Sequence, residues 1–257
     1  MNVDDPNREL VQDDLISVGY CAEDAKHILH LLSSQEQLDW FLQKGQQYGC
    51  YPLTRVSEGY PTFLREKLGL DSPGCLWLKG NKELLKLPAI SLVGNRELME
   101  TNVAFAREVG RQAALQGYVL VSGNARGADR EAQKACLENG GCVICVIADR
   151  LCDQLNNPDI LYISECGFDL EFSSQRALHR NTVIHCLGSK VFVAQCQSKS
   201  GGTWSGTMNN LRGKYSPVFC FNDGSDTMKA LMDAGCEGIN QKDLLDFSAL
   251  QNTISFL

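Results

Sequence analysis

The sequence predicts an α/β fold built on a parallel, doubly wound sheet. Three observations lead to this prediction. Short, continuous apolar runs recur from about residue 75 onward, as expected for strands that are buried on both faces. Amphipathic segments of helical spacing separate most of these runs, and glycine follows several of them, as at Gly117 and Gly140. Strands that alternate with helices form parallel sheets, because each helix carries the chain back across a face of the sheet.

The elements can be assigned in chain order. The predicted strands are Leu76–Lys79, Ala89–Val93, Tyr118–Ser122, Cys142–Ile147, Leu161–Ser164, Lys190–Ala194 and Val218–Phe221. The predicted helices between and after them are Asn102–Gln116, Ala128–Glu138, Gln175–His185, Thr203–Arg212 and Thr227–Ala234. In doubly wound sheets ligands bind beyond the carboxyl ends of the strands, near the point where the strand order reverses. The residues that follow the strands are therefore the first candidates for a functional site.

A different pattern precedes this region. Apolar residues at helical spacing between residues 8 and 50 predict three short helices, so residues 1–55 are expected to form a small N-terminal helical region. Residues 56–74 are polar and rich in turn residues, and they are predicted to be a connector. The main α/β domain is assigned to residues 75–240, and a C-terminal helical tail to residues 241–257.

Composition narrows the class of protein. The chain of 257 residues is 44% hydrophobic and 21% charged, which is ordinary for a globular protein. It has no apolar stretch long enough to span a bilayer and no secretory segment at its polar start, so we expect a cytoplasmic protein without membrane contact. The net charge is -7. Because nucleic-acid-binding domains usually carry a basic surplus, any DNA contact must come from a few well-placed arginines and lysines.

Twelve cysteines raise the question of zinc or disulfides. Cys142 and Cys145 have CxxC spacing, but they lie in an apolar run in which residues three apart face opposite sides of a strand. No second pair follows at ligand spacing. We therefore predict buried thiols in a reducing compartment, and neither a metal nor another cofactor.

Three glycine-containing loops each follow a predicted strand and lead into a predicted helix. They hold Gly94, Asn95 and Arg96 in the first loop, Ser122, Gly123, Arg126, Gly127 and Asp129 in the second, and Ser200 and Gly201 in the third. Glycine lets the backbone approach a ligand, and the free N–H groups at a helix start bind anions. Arg96 and Arg126 offer bidentate contacts to phosphate oxygens. One such loop also occurs simply as a tight turn, but three on one sheet edge favour a phosphate-bearing ligand.

Two further charged features belong to this edge. Arg180 and Asn181 stand near the start of an amphipathic helix, where the plain alternative for a single arginine is a solvated helix face. Glu165 follows a predicted strand, where a carboxylate either orients arginines or caps a loop. The loops match neither G-x-G-x-x-G nor G-x-x-x-x-G-K-[ST], which disfavours an ordinary dehydrogenase or P-loop NTPase.

The order of these motifs resembles the DprA/Smf family of DNA-processing proteins, within the wider group of SMF/LOG-like Rossmann proteins. The resemblance runs roughly from Tyr60 to Phe221 and is carried by "YPTFLREKLGLDSPGCLWLKGN", "ISLVGNRE", "LVSGNARGADREAQKACLENGGCVICVIAD", "ISECG" and "HRNTVIHCLGSKVFVAQCQSKSG". It implies an extended Rossmann fold, a homodimer, binding of single-stranded DNA, and loading of the recombinase RecA onto that DNA. It also implies that the loops form a positively charged pocket for DNA phosphates.

The family's motifs carry over to particular positions. Gly94 and Arg96 match its G-S-R turn, Ser122 to Asp129 match S-G-x-A-x-G-I-D, Arg180 and Asn181 match the start of R-N-R, and Ser200 and Gly201 match a later S-G. The sequence departs from these motifs at three positions. The serine of G-S-R is replaced by Asn95, the isoleucine of S-G-x-A-x-G-I-D by Ala128, and the second arginine of R-N-R by Thr182. The loop after Asp149 is shorter than in the family, and no winged-helix domain is expected after Phe221.

Three functions remain open at this point. The leading expectation is a non-enzymatic protein that binds single-stranded DNA in natural transformation or recombination. The second is a binding protein or sensor for a small phosphorylated nucleotide, as among LOG-like relatives; a hydrolase is disfavoured because Asn209 and Asn210 stand where the catalytic glutamate should fall. The third is a scaffold whose helical N-terminus binds a partner. Among the four histidines, His179 lies beside Arg180 and is a candidate for phosphate contact.

Overall fold

The structure, a computed structural model, describes residues 8–196 and 200–250. It divides the chain after Gln47 into two compact units. The described part of the first unit is helical, with α1 (Gln12–Ser17), α2 (Ala22–Ser33) and α3 (Gln35–Gln47). These are the three short helices that the apolar spacing predicts.

The second unit is built on one sheet of nine strands. They are β1 (Tyr51–Thr54), β2 (Cys75–Gly80), β3 (Ala89–Val93), β4 (Val119–Ser122), β5 (Val143–Val146), β6 (Ile160–Ser164), β7 (Val191–Val193), β8 (Val218–Phe221) and β9 (Glu237–Ile239). Their order is β1-β2-β6-β5-β4-β3-β7-β8-β9. The seven strands from β6 to β9 in this order run parallel, whereas β2 is antiparallel to both β6 and β1. The predicted α/β class with a mostly parallel, Rossmann-like sheet is confirmed.

The order in which strands are added to the sheet reverses at β3. From β3 it passes outward through β4, β5 and β6, and it then returns to the other side of β3 to add β7, β8 and β9. In register, Leu92 of β3 lies opposite Phe192 of β7, and Ile90 lies opposite Leu120 of β4. The crevice beyond the carboxyl ends of β3 and β7 is therefore the switch point at which doubly wound sheets bind ligands.

Helices cover the faces of the sheet and complete the core. They are α4 (Thr62–Leu68), α5 (Glu100–Leu115), α6 (Ala128–Glu138), α7 (Ser174–Leu187), α8 (Gly202–Gly213) and α9 (Asp226–Asp233). Every residue of β3, β4, β5 and β7 is buried, which explains why these strands read as continuous apolar runs. Eight of the twelve cysteines are buried as well, in line with the prediction of buried thiols.

The structure differs from the predicted segment limits at both ends of the main domain. Strand β1 falls inside the predicted helical region 1–55, because four residues that include Pro52 give too short a pattern to identify an edge strand. The predicted connector contains α4, whose Leu64 and Leu68 are buried. The predicted C-terminal tail begins with a 3-10 helix at Gln241–Leu245, and residues 251–257 lie outside the described residues. In the described ranges 8–196 and 200–250, every helix is too short or too polar to cross a membrane.

Candidate functional site

A cavity of about 410 Å³ lies at the switch point of the sheet. Its walls come from the loop after β3, the start of α6, one face of α7 and the start of α8. The predicted residues that line it are Gly94, Asn95, Arg96, Asp129, Arg180, Asn181, Ser200 and Gly201. The topology thus brings all three predicted loops, and the predicted arginine of α7, to one place.

The loops after β3 and β4 are joined by close backbone packing. Gly127 has a φ of 83°, and a Cβ there would overlap the carbonyl groups of Asn95 and Arg96, so only glycine fits this position. The N–H of Ala128 donates to the carbonyl oxygen of Asn95 at 3.1 Å, where α6 begins. These contacts hold the Asn95–Arg96 backbone against the start of α6.

Arg180 is the main cationic group of the cavity. It reaches from α7 across the carboxyl edge of the sheet, and its guanidinium occupies the space that a Cβ on Gly123 would fill. The residue is 8% exposed, and its buried Nε has no hydrogen-bond partner among the described residues. Burial lowers the pKa of this guanidinium, yet an arginine stays protonated in proteins. A buried charge with an unused donor is costly unless an anion balances it.

Asp129 supplies a local counter-charge and also shapes the second loop. Its Oδ2 accepts hydrogen bonds from the N–H groups of Gly123 at 3.0 Å and Ala125 at 3.2 Å. Burial raises the pKa of this carboxyl group, while Arg180, the two N–H donors and Arg96 act in the opposite direction. The carboxylate therefore orders the loop that contacts Arg180, and it partly balances the charge of that arginine.

Of the two exposed arginines predicted to bind phosphate, Arg96 lines the cavity and Arg126 does not. Arg96 lines the cavity and is exposed, so it can approach a ligand from the solvent side. Arg126 is also exposed, but it is not among the residues that line the cavity. Ser122 lies behind the site, where its buried hydroxyl accepts a hydrogen bond from the Gln133 side chain. Ser122, Gly123 and Gly127 therefore support the residues that line the cavity, whereas Arg126 has no described contact with them.

Helices α7 and α8 form the opposite wall. Ala177, Asn181 and His185 recur every four residues along α7, so they share one face of that helix, and all three line the cavity. The Asn181 side chain donates to the carbonyl oxygen of Gly202 at 3.2 Å, which ties α7 to the first turn of α8. The start of α8, at Gly201 to Thr203, lines the same space, and the first N–H groups of a helix have no partner within that helix. Residues 197–199 of this loop lie outside the described residues.

Sequence reasoning missed two features of this wall. His185 is buried and lines the cavity, and only its spacing of four residues from Asn181 could have indicated this. Phe172 is 48% exposed at the rim, in an irregular stretch that carries no periodic signal.

His179 and Glu165 line a second cavity instead of the first. His179, the predicted phosphate contact, is therefore placed on the other side of α7. Glu165 has a buried Oε1 without a hydrogen-bond partner among the described residues. Burial raises the pKa of its carboxyl group, against the effect of His179, Arg176 and Arg180. Both predicted roles of Glu165, orienting arginines and capping a loop, stay predictions.

Comparison with known proteins places the chain in a family. The family model described as DNA recombination-mediator protein A matches residues 52–229. DNA processing protein DprA of Streptococcus pneumoniae is 34% identical over 163 residues, which are 59% of this chain and 53% of that protein. Protein Smf of Escherichia coli is 24% identical over 221 residues, or 75% of this chain and 58% of that protein. The chain thus matches little more than half the length of these curated relatives.

Solved structures agree on the fold. The X-ray structure of DprA from S. pneumoniae gives a TM-score of 0.78 at 26% identity, over 95% of this chain and 88% of that chain. DNA processing protein A from Helicobacter pylori gives a TM-score of 0.63 at 23% identity, over 76% of this chain and 94% of that chain, which supports the fold alone. The family model covers well over half of the sequence, including all the loops around the cavity. The chain belongs to the DNA recombination-mediator protein A family, the DprA/Smf proteins.

Proposed function

We propose that this protein binds single-stranded DNA in the cavity at the switch point, without catalysing a reaction on it. The observation that carries the proposal is the buried, charged guanidinium of Arg180, which lines the same cavity as the start of α8. A phosphate group would satisfy both features, because it accepts hydrogen bonds from arginine and from free backbone N–H groups alike. Arg96 adds a second cation at the solvent side.

The rim of the cavity suits the rest of a nucleotide. Phe172 and Leu178 are both about half exposed there, at 48% and 49%. An exposed ring beside a phosphate site offers a platform on which a base can stack, and stacking tolerates any base because each has a π-face. We therefore assign the phosphate to the Arg180 side and a base to the Phe172 side.

The acidic character of the chain limits how the DNA is held. With a net charge of -7, the protein has no general attraction for a polyanion, so affinity depends on the few cations of the cavity. Each phosphate that a cation neutralises on a single strand contributes about 0.7 to the slope of log K against log salt. Two arginine contacts therefore predict a shallow slope, of about -1.4.

A small phosphorylated nucleotide is the second candidate ligand. A volume of about 410 Å³ lies within the range of small-molecule sites, so the cavity could hold one nucleotide without a longer strand. Hydrolysis of such a ligand is not proposed. Asn210 is buried and hydrogen-bonded to His185 and to the Ser216 backbone, while Asn209 is exposed and contacts Thr182. Neither amide can serve as a general base.

The relatives support the DNA proposal and extend it. DNA processing protein A from H. pylori binds single-stranded DNA. From the family resemblance we also propose that this protein is a homodimer and that it loads a RecA-type recombinase onto the bound strand in transformation or recombination. Light scattering of the purified chain tests the dimer, and recombinase filament formation on coated oligonucleotides, with and without the protein, tests the loading.

The direct test is a fluorescence-anisotropy titration of a labelled single-stranded oligonucleotide at several salt concentrations, with mononucleotides as competitors. Salt-dependent binding that mononucleotides compete weakly would support the DNA proposal. Tight binding of a mononucleotide, without binding of the oligonucleotide, would indicate that the ligand of the cavity is a small phosphorylated nucleotide. Binding of neither would refute both.

A further inference from the structure

A buried histidine lies on the wall of this cavity, and its proton can be located from its contacts. His185 is 1% exposed and sits on the α7 face that also carries Asn181. A Cβ on Gly206 of α8 would come within 3.2 Å of its Nε2, so the glycine leaves room for that edge of the ring. The imidazole thus projects from α7 toward α8, with Nδ1 facing Asn210 and Nε2 facing Gly206.

The chain of hydrogen bonds behind the ring fixes its tautomer. The backbone N–H of Ser216 donates to Oδ1 of Asn210 at 2.9 Å, and since a backbone N–H can only donate, this oxygen is identified without ambiguity. The other end of the same amide is then Nδ2, a donor, and it lies 3.0 Å from Nδ1 of His185. Nδ1 must therefore accept, and a neutral ring carries its proton on Nε2.

The residues behind this chain are themselves buried and hydrogen-bonded. Asn210 is fully buried. The hydroxyl of Ser216 donates to the carbonyl oxygens at the end of α7, and it accepts a hydrogen bond from Lys67 at 2.7 Å. Burial lowers the pKa of His185 to about 4, so the ring stays neutral around pH 7. The described residues supply no hydrogen-bond partner for Nε2.

We propose that His185 is a ligand-binding residue whose Nε2–H donates to an oxygen atom of the nucleic-acid ligand in the cavity. The inference rests on the proposed function and goes beyond it, because it adds a neutral donor to a site otherwise defined by arginines. The oxygen belongs either to a phosphate or to a base carbonyl, and both have the acceptor chemistry that the ring requires. A neutral donor adds affinity without releasing a counterion, so its removal leaves the salt dependence unchanged.

The first experiment locates the proton. In the full chain labelled with ¹⁵N-histidine, the signals of His185 are assigned by their loss in His185→Phe. We expect a protonated Nε2 and an unprotonated Nδ1 at pH 7, and a shift of the Nε2–H signal when oligothymidylate is added. Protonation at Nδ1 in the free protein would overturn the proposal, as would a signal unmoved by bound DNA.

The second experiment measures the interaction. His185→Phe should weaken oligothymidylate binding by about 10-fold with an unchanged salt slope. His185→Gln, which keeps an N–H donor at the same distance along the side chain, should recover most of the affinity. His179→Phe is the matched control, because that exposed histidine lies on the same helix and does not line the cavity. Thermal unfolding of each variant establishes that it is folded.

An abasic oligonucleotide separates the two oxygen sources. A loss in His185→Phe that persists with the abasic strand assigns the contact to phosphate, and a loss confined to oligothymidylate assigns it to a base carbonyl. Binding within twofold of wild type for both strands, while Arg180→Ala still weakens binding, would overturn the inference and leave the proposed function standing. If wild type binds no oligonucleotide, the proposed function fails, and thymidine monophosphate becomes the probe. A shift of the Nε2–H signal on addition of thymidine monophosphate would then support His185 as a donor to the ligand, and an unchanged signal would refute it.

Discussion

The contact between Gly123 and Arg180 gives the sharpest prediction about the cavity. The φ of Gly123 lies outside the left-handed region, so alanine fits the backbone there. Its Cβ would overlap the guanidinium, which must move by about 2 Å to restore ordinary van der Waals separation. Because the displaced group is the far end of a flexible side chain, the free energy of unfolding of Gly123→Ala should lie within about 1 kcal/mol of the wild-type value.

The binding site should respond far more than the fold. A charge-assisted hydrogen bond is worth about 1.5–3 kcal/mol, so moving the guanidinium should weaken binding of single-stranded DNA by about 10- to 100-fold. The salt slope should fall by about 0.7, as expected for one lost phosphate contact.

The assay is an anisotropy titration of labelled oligothymidylate at four salt concentrations. The variants are Gly123→Ala, Arg180→Ala and the double variant, and Gly74→Ala is the control because a Cβ there meets no described atom within 4 Å. Since both single changes act on one guanidinium, the double variant should bind no more weakly than Arg180→Ala alone. Wild-type binding by Gly123→Ala, or losses that add in the double variant, would refute the reasoning.

Three further predictions test other parts of the structure. Lys67 donates to the carbonyl oxygens of Cys186 at 2.8 Å and Gly188 at 3.3 Å, so Lys67→Met should lower the free energy of unfolding by about 1–3 kcal/mol in urea titrations; unchanged stability would contradict this. Burial shifts the pKa of His185 from 6.5 to about 4, so the unfolded chain binds its proton more tightly and stability should fall by up to about 3 kcal/mol as the pH drops from 6.5 to 4. In His185→Phe this decrease in the free energy of unfolding should be absent. A decrease as large as that of wild type would show that other groups cause it. Arg126→Ala should change DNA affinity by less than about twofold, and a loss as large as that of Arg180→Ala would place Arg126 in the site.

Much of the fold could be predicted because the central strands are buried on both faces. Burial makes β3, β4 and β5 continuous apolar runs, and the turns after them can then be read as candidate loops. Edge strand β1 could not be found in this way, because its residues are only partly buried and include Pro52. Strand β9 is just three residues long, too short for any pattern to show.

The site could be predicted where it depends on loop position, and not where it depends on the reach of a side chain. The order of the strands brings Gly94 and Gly201 to the same switch point, so the sequence is informative about both. The guanidinium of Arg180 packs against Gly123, which is distant in sequence, whereas Arg126 stays exposed, and no local pattern distinguishes the two arginines. The tautomer of His185 likewise depends on residues 25 and 31 positions away along the chain.

The most direct test of the account is a crystal structure of the full chain with a short oligothymidylate. We predict a phosphate group within hydrogen-bond distance of the Arg180 guanidinium and of the backbone N–H groups at the start of α8. DNA bound elsewhere on the protein, with this cavity empty, would contradict the assignment of the site.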